Sequence, residues 1–354
     1  MQFKSFCAAN SGEGFLSFFD TLLDEKNQNV YYIKGGPGSG KSTLLKEIAS
    51  RADDAELVLC SGDPASLDGV ILPEQQAVII DATAPHSHEP RYPGVGGNLI
   101  DLGEGWDPEK MNRSAIMKLC DQKSRIYKEC YALLKSAKSI QEGVFGTLLK
   151  QIPLQRIHTA GDKILRQNAL WEKRERPVCV RKRYLSGISP EGRMTHSETF
   201  LLLGRNVIIL EDRWMQSSLL LQYLDQRLND NGIDHINGYH PLFGEPVLQH
   251  LIIPEASLSI VSKDGLFPIA IPEENIVKKI SMQAMISREY LEEHKNKLAF
   301  IKRLEREILN LASEKLEEAR SVHMEIEREY AKGTDFEATA HLKQKLINNI
   351  FART

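Results

Sequence analysis

A run of glycine, lysine and hydroxyl side chains near the start of the chain has the spacing of a phosphate-binding loop. It follows the pattern G-x-x-x-x-G-K-[ST] and reads Gly35, Gly36, Pro37, Gly38, Ser39, Gly40, Lys41, Ser42 and Thr43. Glycine lets backbone N–H groups turn toward a phosphate without interference from Cβ. In such loops the lysine reaches the β- and γ-phosphates and the first hydroxyl contacts Mg²⁺. These residues predict a binding site for a nucleoside triphosphate, ATP, with Mg²⁺.

The sequence on either side predicts the strand and the helix that such a loop requires. Val30–Ile33 is a β-branched and aromatic run, typical of a short buried strand. From Lys41 onward the sequence predicts a helix, whose positive dipole end would face a phosphate. The alternative is an ordinary glycine-rich turn, which the flanking strand and helix disfavour.

A second candidate residue, Asp81, ends the apolar strand predicted at Ala77–Asp81. Strands that alternate with helices predict a parallel α/β sheet with the ligand at the carboxyl ends of the strands. An acid there can hold Mg²⁺ together with Ser42, so Lys41 and Asp81 are the predicted catalytic residues. A turn or cap role for Asp81 is the alternative. The next residue is Ala82 and not a second carboxylate, which argues against fast hydrolysis.

Three further polar residues follow predicted strands and are weaker candidates. Asp63 lies in a polar loop after the strand predicted at Glu56–Cys60, and His86 and Arg91 lie in the proline-rich loop after Asp81. A metal site at His86 lacks the spaced third and fourth ligands that such sites need. A polar loop near the phosphates, with Arg91 stabilising charge, is one interpretation, and a purely structural loop is the other.

Long helical segments accompany both halves of the sequence. The first, about 107–173, has an apolar stripe and a glycine-containing break near Gly143–Gly146, which predicts a helical hairpin. The second, about 273–353, predicts a helical tail. A charged linker separates the halves, so the predicted domains are 1–176 and 177–354.

The second half repeats the first with a changed loop. A strand is predicted again at Arg205–Leu210, but the residues after it contain no glycine, Gln216 replaces Lys41 and Ser262 replaces Asp81. Acidic and bulky side chains in this second loop would repel or block a phosphate. The fold class predicted is therefore α/β, with two parallel-sheet repeats of the P-loop NTPase type, each carrying a helical extension. One repeat has an active loop and the other is structural or regulatory.

Composition restricts the location and the partners. The chain has 354 residues, a formal net charge of −3 and five scattered cysteines. The charge favours neither nucleic acid nor a membrane surface, and the cysteines favour free thiols in a reducing compartment. No apolar run is long enough to cross a bilayer. We expect a cytoplasmic protein that binds a nucleoside triphosphate, with a protein partner possible through the helical hairpins. The oligomeric state stays open.

Taken together, several motifs resemble those of a little-characterised family of bacterial proteins with duplicated P-loops. They are Gly35–Ser42, Cys60–Pro64, Ser66–Gly69, Asp81–His86 and Tyr92–Gly94. The resemblance covers nearly the whole length and implies ATP binding, with site residues at Gly35–Thr43, Asp63, Asp81 and His86. In related chains the second loop can look intact, and here it departs from that pattern.

Three functions fit these residues. The first is an Mg²⁺-dependent ATPase or ATP-driven switch with one active site. The second is a P-loop kinase for a nucleotide or small molecule, favoured by the single strand predicted between the loop and the Asp81 strand. The third is a non-catalytic nucleotide-binding scaffold.

Overall fold

The computed structural model describes residues 2–23, 29–84, 87–90 and 97–352. Within these ranges the strands are β1 (Phe3–Ser5), β2 (Ala8–Ser11), β3 (Gly14–Ser17), β4 (Asn29–Lys34), β5 (Glu56–Leu59), β6 (Leu67–Leu72), β7 (Ala77–Asp81), β8 (Asn98–Asp101), β9 (Val180–Arg183), β10 (Ser186–Ser189), β11 (Gly192–Thr195), β12 (Asn206–Glu211), β13 (His235–Tyr239), β14 (Leu248–Ile253), β15 (Leu258–Lys263) and β16 (Ile276–Ser281). The α-helices are α1 (Phe19–Leu23), α2 (Lys41–Ala49), α3 (Arg113–Leu149), α4 (Leu154–Gln167), α5 (Ser197–Leu203), α6 (Ser217–Asp230), α7 (Arg288–Glu293), α8 (Lys295–Ala331) and α9 (Phe336–Phe351).

The first large sheet has six strands in the order β1-β5-β6-β7-β4-β8. β6 runs antiparallel to both of its neighbours, and the other adjacent pairs are parallel. The sheet is therefore mixed and not parallel as the sequence predicts. β6 escapes a sequence prediction because Asp68 and Gly69 interrupt its apolar run, and both residue types are depleted in strands.

The second large sheet has the same strand order and the same strand directions. Its order, taken from the corresponding edge, is β9-β13-β14-β15-β12-β16, and only β14 runs antiparallel to both of its neighbours. Register also corresponds: Ile33 pairs with Asp81 in the first sheet, and Leu210 pairs with Ser262 in the second. Two mixed sheets of matching order are compatible with a repeated α/β fold.

The long helices begin and end at places that differ from the predicted ones. α3 continues through Gly143 and Gly146 to Leu149, and the break falls before α4, where Pro153 is the N-cap residue. A glycine costs a helix about 1 kcal/mol, whereas a proline cannot donate to the preceding turn. None of the helices in the described ranges is long and apolar enough to cross a membrane.

The tail predicted as helical from about 273 begins with a strand. Ile276–Ser281 forms β16, an edge strand whose residues alternate between half-buried and exposed. This alternation with period two is the pattern of a strand that has one face against the protein. The helical part of the tail starts later, at α7 and α8.

Contacts divide the chain into two units that are discontinuous in sequence. Unit 1 comprises Met1–Ser5, Phe19–Glu129 and Glu314–Thr354, and unit 2 comprises Phe6–Phe18 and Cys130–Ser313. The predicted boundary at 176/177 follows the sequence repeat, whereas these units follow contacts in the folded chain. Unit 1 contains the first large sheet, and unit 2 contains the second.

In unit 1 the C-terminal part of α8 packs against the N-terminal part of α3. Ile126 lies in a buried apolar cluster with Ala319, Val322 and Ile326. Removing these side chains from water stabilises the pairing of two segments that are far apart in sequence. The pairing fixes which α8 side chains face the rest of unit 1.

Candidate functional site

The loop between β4 and α2, residues 35–40, has a backbone that requires glycine. Gly38 has a φ of 74° and Gly40, the N-cap residue of α2, a φ of 86°. Both angles are in the left-handed region, which side chains with a Cβ rarely adopt. The buried strand β4 directs the chain into this turn, and Leu44 N then donates to Gly40 O to start the helix. We call this segment the first loop.

Lys41 lies across the first loop and points back toward its start. Its Nζ donates to Gly35 O at 2.6 Å and to Gly36 O at 2.9 Å, and lies 3.6 Å from Asp81 Oδ2. The ammonium is therefore held by the loop backbone beside a carboxylate. This arrangement places one positive charge next to the turn that the glycines form.

Asp81 ends β7 and is brought to the loop by parallel pairing of β7 with β4. Its Oδ1 accepts from Thr83 N at 2.9 Å, and Thr83 Oγ1 donates to Gly35 O at 2.9 Å. Burial raises the pKa of Asp81, while Lys41 and the Thr83 hydrogen bonds act in the opposite direction. The carboxylate is thus mostly desolvated, and Lys41 is its nearby countercharge.

The donor set beside the loop fits Mg²⁺, a hard cation that prefers oxygen ligands and keeps several waters. The residues concerned are Asp81 and Ser42, the second residue of α2, whose Oγ accepts from Leu67 N at 3.1 Å. In the part of the chain that is described, no group of three or more His, Cys, Asp or Glu residues could hold a metal alone. An ion here would therefore depend on phosphate oxygens and water as well.

Two buried donors beside the loop have no hydrogen-bond partner among the described residues. They are the Ser39 hydroxyl and the indole N–H of Trp106. A buried donor without a partner costs about 1–3 kcal/mol, and a water, an ion or a ligand that accepts from it would offset that cost. A Cβ added to Gly36 would lie 2.9 Å from the Trp106 ring, so the indole is close to the loop.

Helices from the C-terminal part of unit 1 contact the first loop. A Cβ on Gly38 would lie 3.1 Å from Glu327 O of α8. Lys343 of α9 donates from Nζ to Ser39 O at 3.3 Å, and burial lowers the pKa of this lysine. Sequence reasoning missed both residues, because nothing local distinguishes them from other charged residues of a solvated helix.

A lysine and a histidine from the paired long helices contact each other near the loop. Lys123 Nζ lies 3.2 Å from His323 Nδ1. Burial, followed by the positive charges of Lys123 and Lys41, lowers the pKa of His323 to about 4, so its imidazole is neutral at pH 7. A neutral ring can accept the hydrogen bond from Lys123. This pair also carried no sequence signal.

The weaker sequence candidates have different outcomes. Asp63 Oδ2 accepts from Ser66 Oγ at 2.7 Å, its backbone carbonyl accepts from Ser66 N, and its Oδ1 lies 3.9 Å from Arg320. These contacts make Asp63 a turn residue with an ion-pair partner on α8. His86 and Arg91 lie outside the described residues.

In unit 2 the corresponding turn, residues 212–216, contains a carboxylate that accepts from its own backbone. Asp212 accepts from Trp214 N and from Ser217 N, both at 2.8 Å, and from the Ser217 hydroxyl. Ser217 Oγ also lies 2.8 Å from the hydroxyl of Ser262, the residue that corresponds to Asp81. Asp212 is buried, and burial raises its pKa. We call this segment the second loop.

Comparison of the chain with known protein families, with curated proteins and with solved structures found no match. The site therefore has to be interpreted from its own residues.

Proposed function

We propose that the chain binds ATP with Mg²⁺ at the first loop and hydrolyses it slowly, as an ATPase or an ATP-driven switch. The observation that carries this proposal is the arrangement around Lys41. Its ammonium, the positive-φ glycines Gly38 and Gly40 and the carboxylate of Asp81 meet at the start of α2. Backbone N–H groups at such a helix start favour phosphate, and Lys41 neutralises its charge.

Each side chain has a separate role in this proposal. Lys41 binds the phosphates and stabilises the negative charge that develops during transfer. Ser42 and Asp81 would hold Mg²⁺, which neutralises phosphate charge when bound. The unpartnered Ser39 hydroxyl and Trp106 indole are donors available to the ligand. Ala82 follows Asp81, so the loop side of β7 supplies no adjacent base to orient water, which supports slow turnover.

A switch is supported by the helices that contact the loop. Lys343 of α9 and Glu327 of α8 lie against Ser39 and Gly38, so a phosphate bound to the loop would alter their surroundings directly. Lys343 gains an anionic partner when phosphate is present. α8 and α9 would then move or become more rigid with nucleotide state.

Calorimetric titration with MgATP, together with phosphate-release assays, tests the proposal. We expect one MgATP per chain and slow phosphate release. Lys41→Ala should weaken binding by roughly 10–100-fold, since it removes a charge-assisted contact, and should abolish release. Lys46→Ala, an exposed lysine of the same helix, is the matched control and should behave as wild type. Unchanged hydrolysis in the Lys41→Ala protein would rule out this site.

The same assays separate the alternatives. Phosphate transfer that occurs only when a small acceptor is added would support a P-loop kinase. Binding without release or transfer, accompanied by an ATP-dependent change in protease sensitivity, would support a scaffold. Two MgATP per chain would contradict the assignment of a single nucleotide loop.

A further inference from the structure

A cleft of about 510 Å³ in unit 2 is lined by an excess of positive charge. It lies between the second loop and the start of the C-terminal helices. Its charged lining consists of five cations and one carboxylate, namely Arg213, Lys295, Lys302, Arg303, Arg306 and Glu292. Leu291, Leu298 and Ala299 supply apolar lining. We call this the cationic cleft.

Most of these cations have no carboxylate partner within the described ranges. Arg213, Arg303 and Arg306 form no ion pair there. Lys302 Nζ donates to the backbone carbonyl of Asp264 at 2.9 Å and forms no ion pair within these ranges. Lys295 lies 3.5 Å from Glu292 in an exposed pair, and pairs of this kind contribute little.

Asp264 and Asp212 lie near Lys302 and offset part of its charge, but neither lines the cleft, where Arg213, Arg303 and Arg306 carry the excess of positive charge. Asp212 is hydrogen-bonded to the second loop, and Asp264 accepts from Leu266 N at 2.7 Å and from Phe267 N at 3.1 Å. Glu305 is almost fully buried, and burial raises its pKa to about 8, so it is mostly protonated at pH 7.

The cations are close enough to repel one another. Burial lowers the pKa of Lys302, Asp264 opposes this effect, and the charge of Arg213 adds to it. Arg306 acts in the same direction as burial on the pKa of Arg193, which lies outside the cleft lining. Like charges held together on a folded surface are unfavourable unless an anion binds between them. A bound anion would relieve this repulsion and gain several charge-assisted hydrogen bonds.

We propose that the cationic cleft binds a small, metal-free di- or triphosphate anion. Phosphate is favoured because arginine side chains present pairs of N–H donors that match phosphate oxygens, and three of the five cations are arginines. The volume is in the range of small-molecule sites. A metal-free anion is favoured because Mg²⁺ would cancel the charge that the cations attract. This site is independent of the first loop.

The test uses inorganic tripolyphosphate as the probe, in EDTA, with the full chain carrying Lys41→Ala to silence the first loop. We expect calorimetry to find one equivalent bound. Adding Arg303→Ala and Arg306→Ala, both exposed side chains, should weaken binding by at least about tenfold, one charge-assisted contact being worth that much. Lys297→Ala, an exposed lysine of α8 outside the cleft, is the control and should not change the affinity.

Two results would overturn the proposal. One is that the Lys41→Ala protein binds no tripolyphosphate. The other is that removal of Arg303 and Arg306 weakens binding no more than removal of Lys297, which would mean non-specific attraction to positive charge. Circular dichroism and thermal unfolding of each variant establish that it is folded. Loss of MgATP binding in Lys41→Ala concerns the first loop alone, so failure of either proposal is recognised separately.

Discussion

The first and second loops occupy corresponding places in two sheets of the same strand order, yet the groups that face their backbones differ. In the first loop Lys41 donates to the carbonyls of Gly35 and Gly36, and Asp81 lies beside it. In the second loop the carboxylate of Asp212 accepts from Trp214 N in the turn and from Ser217 N at the start of α6. The first turn has a cation beside its glycines, whereas the second already contains a carboxylate.

This difference shows how two turns at corresponding places in the sheets can satisfy their backbone N–H groups in different ways. N–H groups at a helix start need an acceptor, and a phosphate or a carboxylate can supply it. Asp212 supplies it within the chain, and Ser262 stands at the position that corresponds to Asp81. Positive charge in unit 2 is found instead on side chains of the cationic cleft. We therefore propose two different kinds of anion site in the two units, one built from backbone and one from side chains.

The largest expected effect comes from giving the first site the residue that unit 2 has. Asp81→Ser should reduce phosphate release at saturating MgATP by roughly 10²–10³-fold, because a metal contact contributes several kcal/mol to transition-state stabilisation. Binding of metal-free ATP should change little. Asp53→Ser, at an exposed aspartate, is the control. A rate equal to that of wild type would contradict the proposed role of Asp81 in holding Mg²⁺.

A second variant tests whether Glu305 of unit 2 is protonated, and therefore uncharged, in the folded protein at pH 7. Its pKa in the folded protein is about 8, above the ordinary 4.5, so the unfolded chain loses this proton first as pH rises. The free energy of unfolding therefore falls between about pH 4.5 and pH 8. Glu305→Gln mimics the protonated acid and should stabilise the protein by about 3 kcal/mol at pH 7 and hardly at pH 4.5.

Urea denaturation at the two pH values, in phosphate-free buffer, measures this difference. Glu307→Gln, at an exposed glutamate of the same helix, is the matched control and should leave the pH dependence as it is. If Glu305→Gln changed the free energy of unfolding by the same amount at both pH values, Glu305 would be ionised in the folded protein. The cationic cleft would then have a second carboxylate opposite Lys302.

The third variant tests whether Asp212 takes the place of an anion in the second loop. Asp212→Ala leaves two buried N–H groups without their acceptor and should lower the free energy of unfolding by about 2 kcal/mol. Asp212→Asn keeps one acceptor oxygen and should lose less. Chemical denaturation measures both. An Asp212→Ala protein as stable as wild type would show that the carboxylate does not satisfy the loop.

The smallest effect is expected at Lys343, the cation that α9 brings to the first loop. Lys343→Ala should raise the KM for MgATP about fivefold while kcat changes little, because a partly buried cation near phosphate contributes about 1 kcal/mol. Steady-state phosphate release gives both constants. Lys345→Ala, two residues further along α9, is the control. A change in kcat alone would place Lys343 in the chemical step.

The sequence predicted the first loop well because its conformation is local. Gly38 and Gly40 need positive φ, β4 is a buried β-branched run, and Lys41 follows at the start of a helix. The glycine conformations and the contacts of Lys41 with Gly35 and Gly36 involve residues close in sequence, whereas Thr83 and Lys343 reach the loop from distant parts of the chain. The position of Asp81 was also predictable, because the carboxyl ends of adjacent parallel strands meet at the same edge of a sheet.

The sheet was less predictable because β6 depends on its neighbours. The run from Leu67 to Leu72 is buried at every position, although Asp68 and Gly69 have low strand propensity. Pairing with β5 and β7 on both sides outweighs that propensity. The same tertiary pairing makes Ile276–Ser281 a strand at the start of a tail that sequence predicted as helical.

By itself, then, the sequence determined a glycine-rich loop, its flanking strand and helix, and the presence of a second half with an altered loop. The tertiary structure decided which distant residues face each loop. Lys343 and Ser39 are 304 positions apart, and Lys123 and His323 are 200 apart. Such contacts depend on how long helices pack, which is set by burial summed over many side chains. The cationic cleft arises in the same way, from helix residues that individually resemble any solvated surface.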